Sequence, residues 1–238
     1  MLSALGWGAV AASSLVIGAL LGVLRPWPDQ LVGAVLAFGA GALISAVSFD
    51  LAEEGAQLGG GAATGAGLAL GALTYYGTDR LLGRAHRHAP SGGSSGSGTA
   101  LALGAFLDGI PEQAVLGIGL AVGQGISIGL LAAIFISNLP EAVGSATEMR
   151  AAGTPRRSIL LIWIVIAVVC TLATAGGYGI ADVASGGVRA AIDGFAAGAL
   201  LVMLIDSMIP EAVRKAGKVS GVITMLGFAV AAWLSTVS

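Results

Sequence analysis

The chain has 238 residues, 56% of them hydrophobic and 10% charged, with a formal net charge of -2 and a mean hydropathy of +0.92. This balance lies far outside the range of soluble globular domains, and the near-neutral charge gives no reason to expect a nucleic-acid partner. A single cysteine, Cys170, excludes an internal disulfide and reads as a packing residue in mid-helix.

A transmembrane helix needs about 20 mostly apolar residues. Runs of that kind recur from end to end, at residues 3–24, 31–55, 58–82, 100–123, 125–149, 158–181, 188–212 and 218–237. The expectation is an all-α integral membrane protein, residues 1–238 forming one transmembrane domain of eight helices in the lipid bilayer. The first run has neither a basic leader nor a small-residue cleavage site, so it reads as a retained helix.

Basic residues set the orientation. Arg25 follows run 1; Arg80, Arg84 and Arg87 follow run 3; Arg150, Arg156 and Arg157 follow run 5; Arg214, Lys215 and Lys218 follow run 7. Only Arg189 falls on the opposite set of connections. The positive-inside rule makes the crowded set cytoplasmic, which places both termini outside a cell (inner) membrane. Residues 83–99, rich in Gly and Ser, read as a flexible cytoplasmic loop between helices 3 and 4. His86 and His88 within it read as part of a solvated basic loop.

Run 2 contains AGALISAVSFDLAEEG and run 7 contains AGALLVMLIDSMIPEA. Aligning the AGAL blocks sets Glu54 opposite Glu211, with Asp50 and Asp206 one residue out of step. Runs 2 and 7 cross in opposite directions, so the pattern reads as an inverted repeat of helices 1–3 against 6–8, a transporter signature. The glycines of run 3, Gly67 and Gly71 among them, suit close packing against a neighbouring helix or a second protomer.

The chemistry lies in runs 4 and 5. DGIPEQ at 108–113 and SNLPEA at 137–142 each set a proline before a glutamate, and run 7 has a relative in DSMIPEA. Proline removes a helical hydrogen bond and frees the carbonyl four residues back, here those of Leu107 and Ile136. Asp108 and Glu112 share a face, as do Ser137 and Glu141, with Asn138 at its edge. A carboxylate in mid-membrane is costly unless it is paired, protonated, hydrated or bound to a cation, and the basic residues that fall within the stated runs, Arg80, Arg189 and Lys218, lie only at their ends. A cation between the two helices accounts for both polar faces at once. The ligand set is Asp108, Glu112, Ser137, Asn138 and Glu141, all oxygen donors, which suits a divalent metal. Asp50 and Glu54 at the outer end of run 2 and Asp206 in run 7 are further candidate acids on the transport path. Glu211 reads as a helix-end charge beside Arg214 and Lys215, and Glu148 as an interface residue.

These residues resemble the ZIP (Zrt/Irt-like) divalent metal transporters over essentially the whole chain. The family's helix 4 motif, His-Asn-x-Pro-Glu-Gly, corresponds to Asp108, Gly109, Ile110, Pro111, Glu112 and Gln113; its helix 5 motif keeps Pro140 and Glu141 with Ser137 and Asn138 as the polar pair. The resemblance implies a mononuclear or binuclear metal site between helices 4 and 5. It also implies an elevator-like motion of helices 1, 4, 5 and 6 against 2, 3, 7 and 8. The departures are Asp108 for histidine, Gly109 for asparagine, and no carboxylate in run 6. Loss of the imidazole argues away from zinc selectivity and toward manganese, iron(II) or magnesium, and loss of the two further ligands argues for one metal position.

The expected function is import of a divalent cation, with that cation as cargo and no organic cofactor, in a non-enzymatic protein that forms a homodimer. The alternatives are a proton-coupled carrier of another small solute and a non-transporting relative. An intramembrane aspartyl protease lacks its Gly-x-Gly-Asp signature, and a zinc protease lacks H-E-x-x-H.

Overall fold

The structure is a computed structural model that describes residues 1–87, 96–121, 127–184 and 186–235. The described residues are all-helical, without a strand. In chain order they form α1 (Leu2–Leu24), α2 (Asp29–Ala46, continued by a π-helical stretch Val47–Glu53 and a last piece Glu54–Gly59), α3 (Gly61–Arg87) and α4 (Gly96–Ala121). Then follow α5 (Ile128–Ala151), α6 (Arg156–Asp182), α7 (Gly186–Met203, a π stretch Leu204–Met208, then Ile209–Ala216) and α8 (Ser220–Ser235). Of the 83–99 segment, the chain is helical to Arg87 and again from Gly96, while His88 and its neighbours to 95 lie outside the described residues.

Five helices are long and apolar enough to cross a membrane among the described residues: Leu2–Leu24, Asp29–Gln57, Ile128–Ala151, Arg156–Asp182 and the continuous Gly186–Ser235. The last has 50 residues. At 1.5 Å per residue that is about 75 Å, more than twice a bilayer core, and the chain breaks it at Gly217, where φ is 69°. On α6, Leu161, Ile164, Val165, Val168 and Leu172 are exposed, and comparable residues line the outside of α1 and α8. An apolar exterior of this kind is that of a membrane-embedded protein.

Two helix groups emerge from the packing. In one, α3 lies along α7 and α8 along α2; in the other, α1 lies along α5 and α6, and α4 along α6. The groups meet mainly where α2 crosses α5. Small residues bring the backbones together, as they do in lipid, where no hydrophobic force gathers helices. Gly67 and Gly71 of α3 lie against the backbone of Ala191 and Phe195 on α7, so these glycines serve a neighbour in the same chain rather than a second protomer.

The rods α2 and α7 have the same anatomy and run antiparallel: Gly33 faces Lys215 and Ala216, Gly55 faces Asp193, and Gly59 faces Ala190. Each holds a π stretch in its second half and ends at a glycine with positive φ, Gly60 at 92° and Gly217 at 69°. In α2 the Ser48 hydroxyl bonds the Ile44 carbonyl at 2.7 Å, which serves an acceptor that the looser π register leaves. In α7, Pro210 offers no amide to the preceding turn, which favours the same loosening.

Candidate functional site

Glu112 of α4 and Ser137 of α5 face each other across the interior. Pro111 and Pro140 both sit within continuous helix. One residue on from Pro111, Glu112 is buried at 1% exposure. The Ser137 oxygen of α5 lies 3.4 Å from both of its carboxylate oxygens. The same hydroxyl is 3.0 Å from the Ile134 carbonyl. The Ser137 hydroxyl is thus a donor shared between the Ile134 carbonyl and the Glu112 carboxylate, and it links α5 to α4. Gly39 of α2 packs against Ser137 so closely that a Cβ there would lie 2.9 Å from the Ser137 Cα.

Asn138 is 1% exposed, and neither its Oδ1 nor its Nδ2 finds a hydrogen bond. An amide left so in an apolar interior costs about 1–3 kcal/mol per unmet group, so its persistence suits a ligand-binding face. Glu141, one turn further along α5, is half-buried, with Oε2 enclosed. Asp108 lies in α4 one turn before Glu112, and its side chain, like those of Asp50, Glu54 and His86, lies outside the described residues. Among the described residues, no three His, Cys, Asp or Glu side chains converge closely enough to hold a metal by themselves.

Asp206, a candidate acid on the transport path, is exposed in the π stretch of α7. The loosened turn carries Ile205, Asp206 and Ser207 outward together. Glu211 behaves as its position at the helix end implies: Arg214 donates through Nε to its Oε2 at 2.8 Å, and the Lys215 ammonium lies 3.1 Å from Oε1. Lys215 goes further than the sequence indicates. Its side chain is only 6% exposed, and its Nζ fills the space that a side chain on Gly144 would occupy. A cation from α7 thus reaches α5 one turn beyond Glu141.

Two buried polar groups escaped the sequence reading. Gln113 is fully buried and accepts a 2.6 Å hydrogen bond from Thr174 of α6, tying the α4 Pro-Glu turn to the third helix of its group. Asp193, 3% exposed on α7, packs against Gly55 of α2. Its spacing from Arg189 matches an exposed i,i+4 ion pair, which hides a buried acid in plain sequence. Cys170 of α6 is buried in the core of α1, α5 and α6 with Ala142 and Trp163. No protein-family model and no curated protein matches the chain at a significant level.

Proposed function

We propose that the protein is an eight-span membrane transporter that moves a divalent metal cation toward the cytoplasm through a site built from Asp108, Glu112, Ser137, Asn138 and Glu141. The observation that carries this reading is the pairing of a fully buried carboxylate, Glu112, with the oxygen of Ser137, beside an Asn138 amide that nothing satisfies. Such a set is costly in a dry apolar interior, and a bound cation would offset its desolvation.

The fold supports the reading in two ways. Equal spacing separates Ala40 from Ala197, Val47 at the first π stretch from Leu204 at the second, and Gly60 from Gly217. Contacts repeat too: Gly227 of α8 meets the Phe38 carbonyl of α2, while Gly71 of α3 meets the Phe195 carbonyl of α7. Antiparallel rods with matching anatomy and matching contacts are what an inverted repeat produces, and inverted repeats serve alternating access. The division into α1, α4, α5 and α6 against α2, α3, α7 and α8 likewise suits an elevator-type carrier similar to the ZIP transporters. The cytoplasmic face is assigned by the basic connections.

The test is uptake of manganese, iron(II), zinc, cadmium and magnesium into liposomes holding the purified protein, against a Glu112→Gln, Glu141→Gln control. Flux of any of these ions that the control loses supports the transporter. Absence of both binding and flux for all five overturns it and favours a carrier of another solute.

A further inference from the structure

Lys215 is enclosed where its neighbour is not: its side chain is 6% exposed and that of Arg214 61%. Two buried glycines on other helices make the room. Gly33 of α2 admits the root of the lysine, since a Cβ there would lie 2.6 Å from the Lys215 Cβ. Gly144 of α5 receives its head, since a Cβ there would lie 3.0 Å from Nζ. The side chain therefore starts in one helix group and ends against the other. Glu211, one turn back on α7, holds the ammonium at 3.1 Å.

The seat at Gly144 lies between two acids of α5. Glu141 precedes it by three residues and Glu148 follows it by four, so all three share a side of the helix. Glu148 acts electrostatically on Arg214, which sets the basic end of α7 alongside that side of α5. An ammonium has three donors, so its contact with Glu211 leaves capacity for a second carboxylate. If α5 advances along its axis by three residues, about 4.5 Å at 1.5 Å per residue, Glu141 arrives where Gly144 now is. That direction runs toward the basic connections, the face assigned as cytoplasmic.

We propose that Lys215 is the residue that releases the cargo: when α5 has moved one turn toward the cytoplasm, its ammonium takes Glu141 from the metal, and the ion leaves. The exchange is one of partners only, with no bond made or broken beyond the ionic contacts and no proton moved. A bare carboxylate inside the membrane is costly, and the lysine offsets that cost at the moment the ion departs. When α5 returns, Glu141 moves away from Lys215, which settles again at Gly144, and the carboxylate is open to the next ion. The inference rests on the transporter reading and deepens it by naming what drives unloading.

The experiment measures binding and liposome uptake of manganese, iron(II), zinc, cadmium and magnesium by the full chain, for wild type, Lys215→Met, Glu141→Gln, the pair combined, and Glu112→Gln. A lysine that competes for Glu141 predicts that Lys215→Met lowers the apparent KM and the maximal rate together, each by about fivefold or more. In the Glu141→Gln background the same substitution is expected to change neither further. Glu112-dependent uptake with a wild-type rate in Lys215→Met, or with a lower rate and unchanged or weaker binding, overturns the release role and leaves the transporter standing. No Glu112-dependent binding or uptake of any of the five ions overturns both. Zero-length carbodiimide coupling of the wild type, read by mass spectrometry, is expected to join Lys215 to Glu141 as well as to Glu211. Coupling to Glu211 alone overturns the assignment, and it does so even where Lys215→Met fails to fold.

Discussion

The two Pro-Glu turns begin from nearly the same letters and end in different surroundings. In α4, Glu112 is buried and its successor Gln113 is held by Thr174 of α6; in α5, Glu141 is half-buried and its successor Ala142 simply packs into the core with Cys170. The residue after the glutamate makes the difference. A glutamine needs a polar partner, and finding one ties the α4 turn to a second helix, while an alanine makes no such tie. The two turns thus differ in how they are anchored to their neighbours and in how deeply their carboxylates are buried.

This contrast can be broken in stages. Glu112→Gln removes the buried carboxylate and is expected to lower metal-dependent flux by more than ~100-fold, beyond the scale of outer-shell losses; liposome uptake at equal reconstituted protein measures it. Glu141→Gln removes the half-buried one and is expected to cost about tenfold in the same assay. A larger loss there than at Glu112 reverses that order. Thr174→Val strands the Gln113 carbonyl and should destabilise the fold by about 1 kcal/mol, read from detergent unfolding, while flux falls less than in either glutamate variant. Arg214→Ala touches only the exposed arm of the Glu211 pair and should change stability by about 0.5 kcal/mol or less.

Much of the helical layout is legible in the sequence because apolar runs near bilayer length can form little other than helices. The facing of α4 and α5 also follows from local spacing, since residues three and four apart share a side. What could not be read are properties of packing between distant segments. Nothing near Cys170 in the chain says that it will pack against Gly109, and nothing near Gly144 says that the Lys215 ammonium will lie beside it. The π stretches are hidden for a related reason: Val47–Glu53 has ordinary helical composition, and its register depends on where Ser48 finds an acceptor.

The contact of Gly39 with Ser137 has a kinetic meaning. Helices usually interlock as ridges and grooves, and shifting one past another means lifting side chains out of their seats. Gly39 brings no side chain to this contact, so little has to be lifted for α2 to slide past α5. The contact lies where the two helix groups chiefly meet. In the proposed transport cycle, a side chain added at position 39 would therefore slow turnover more than it would weaken ion binding.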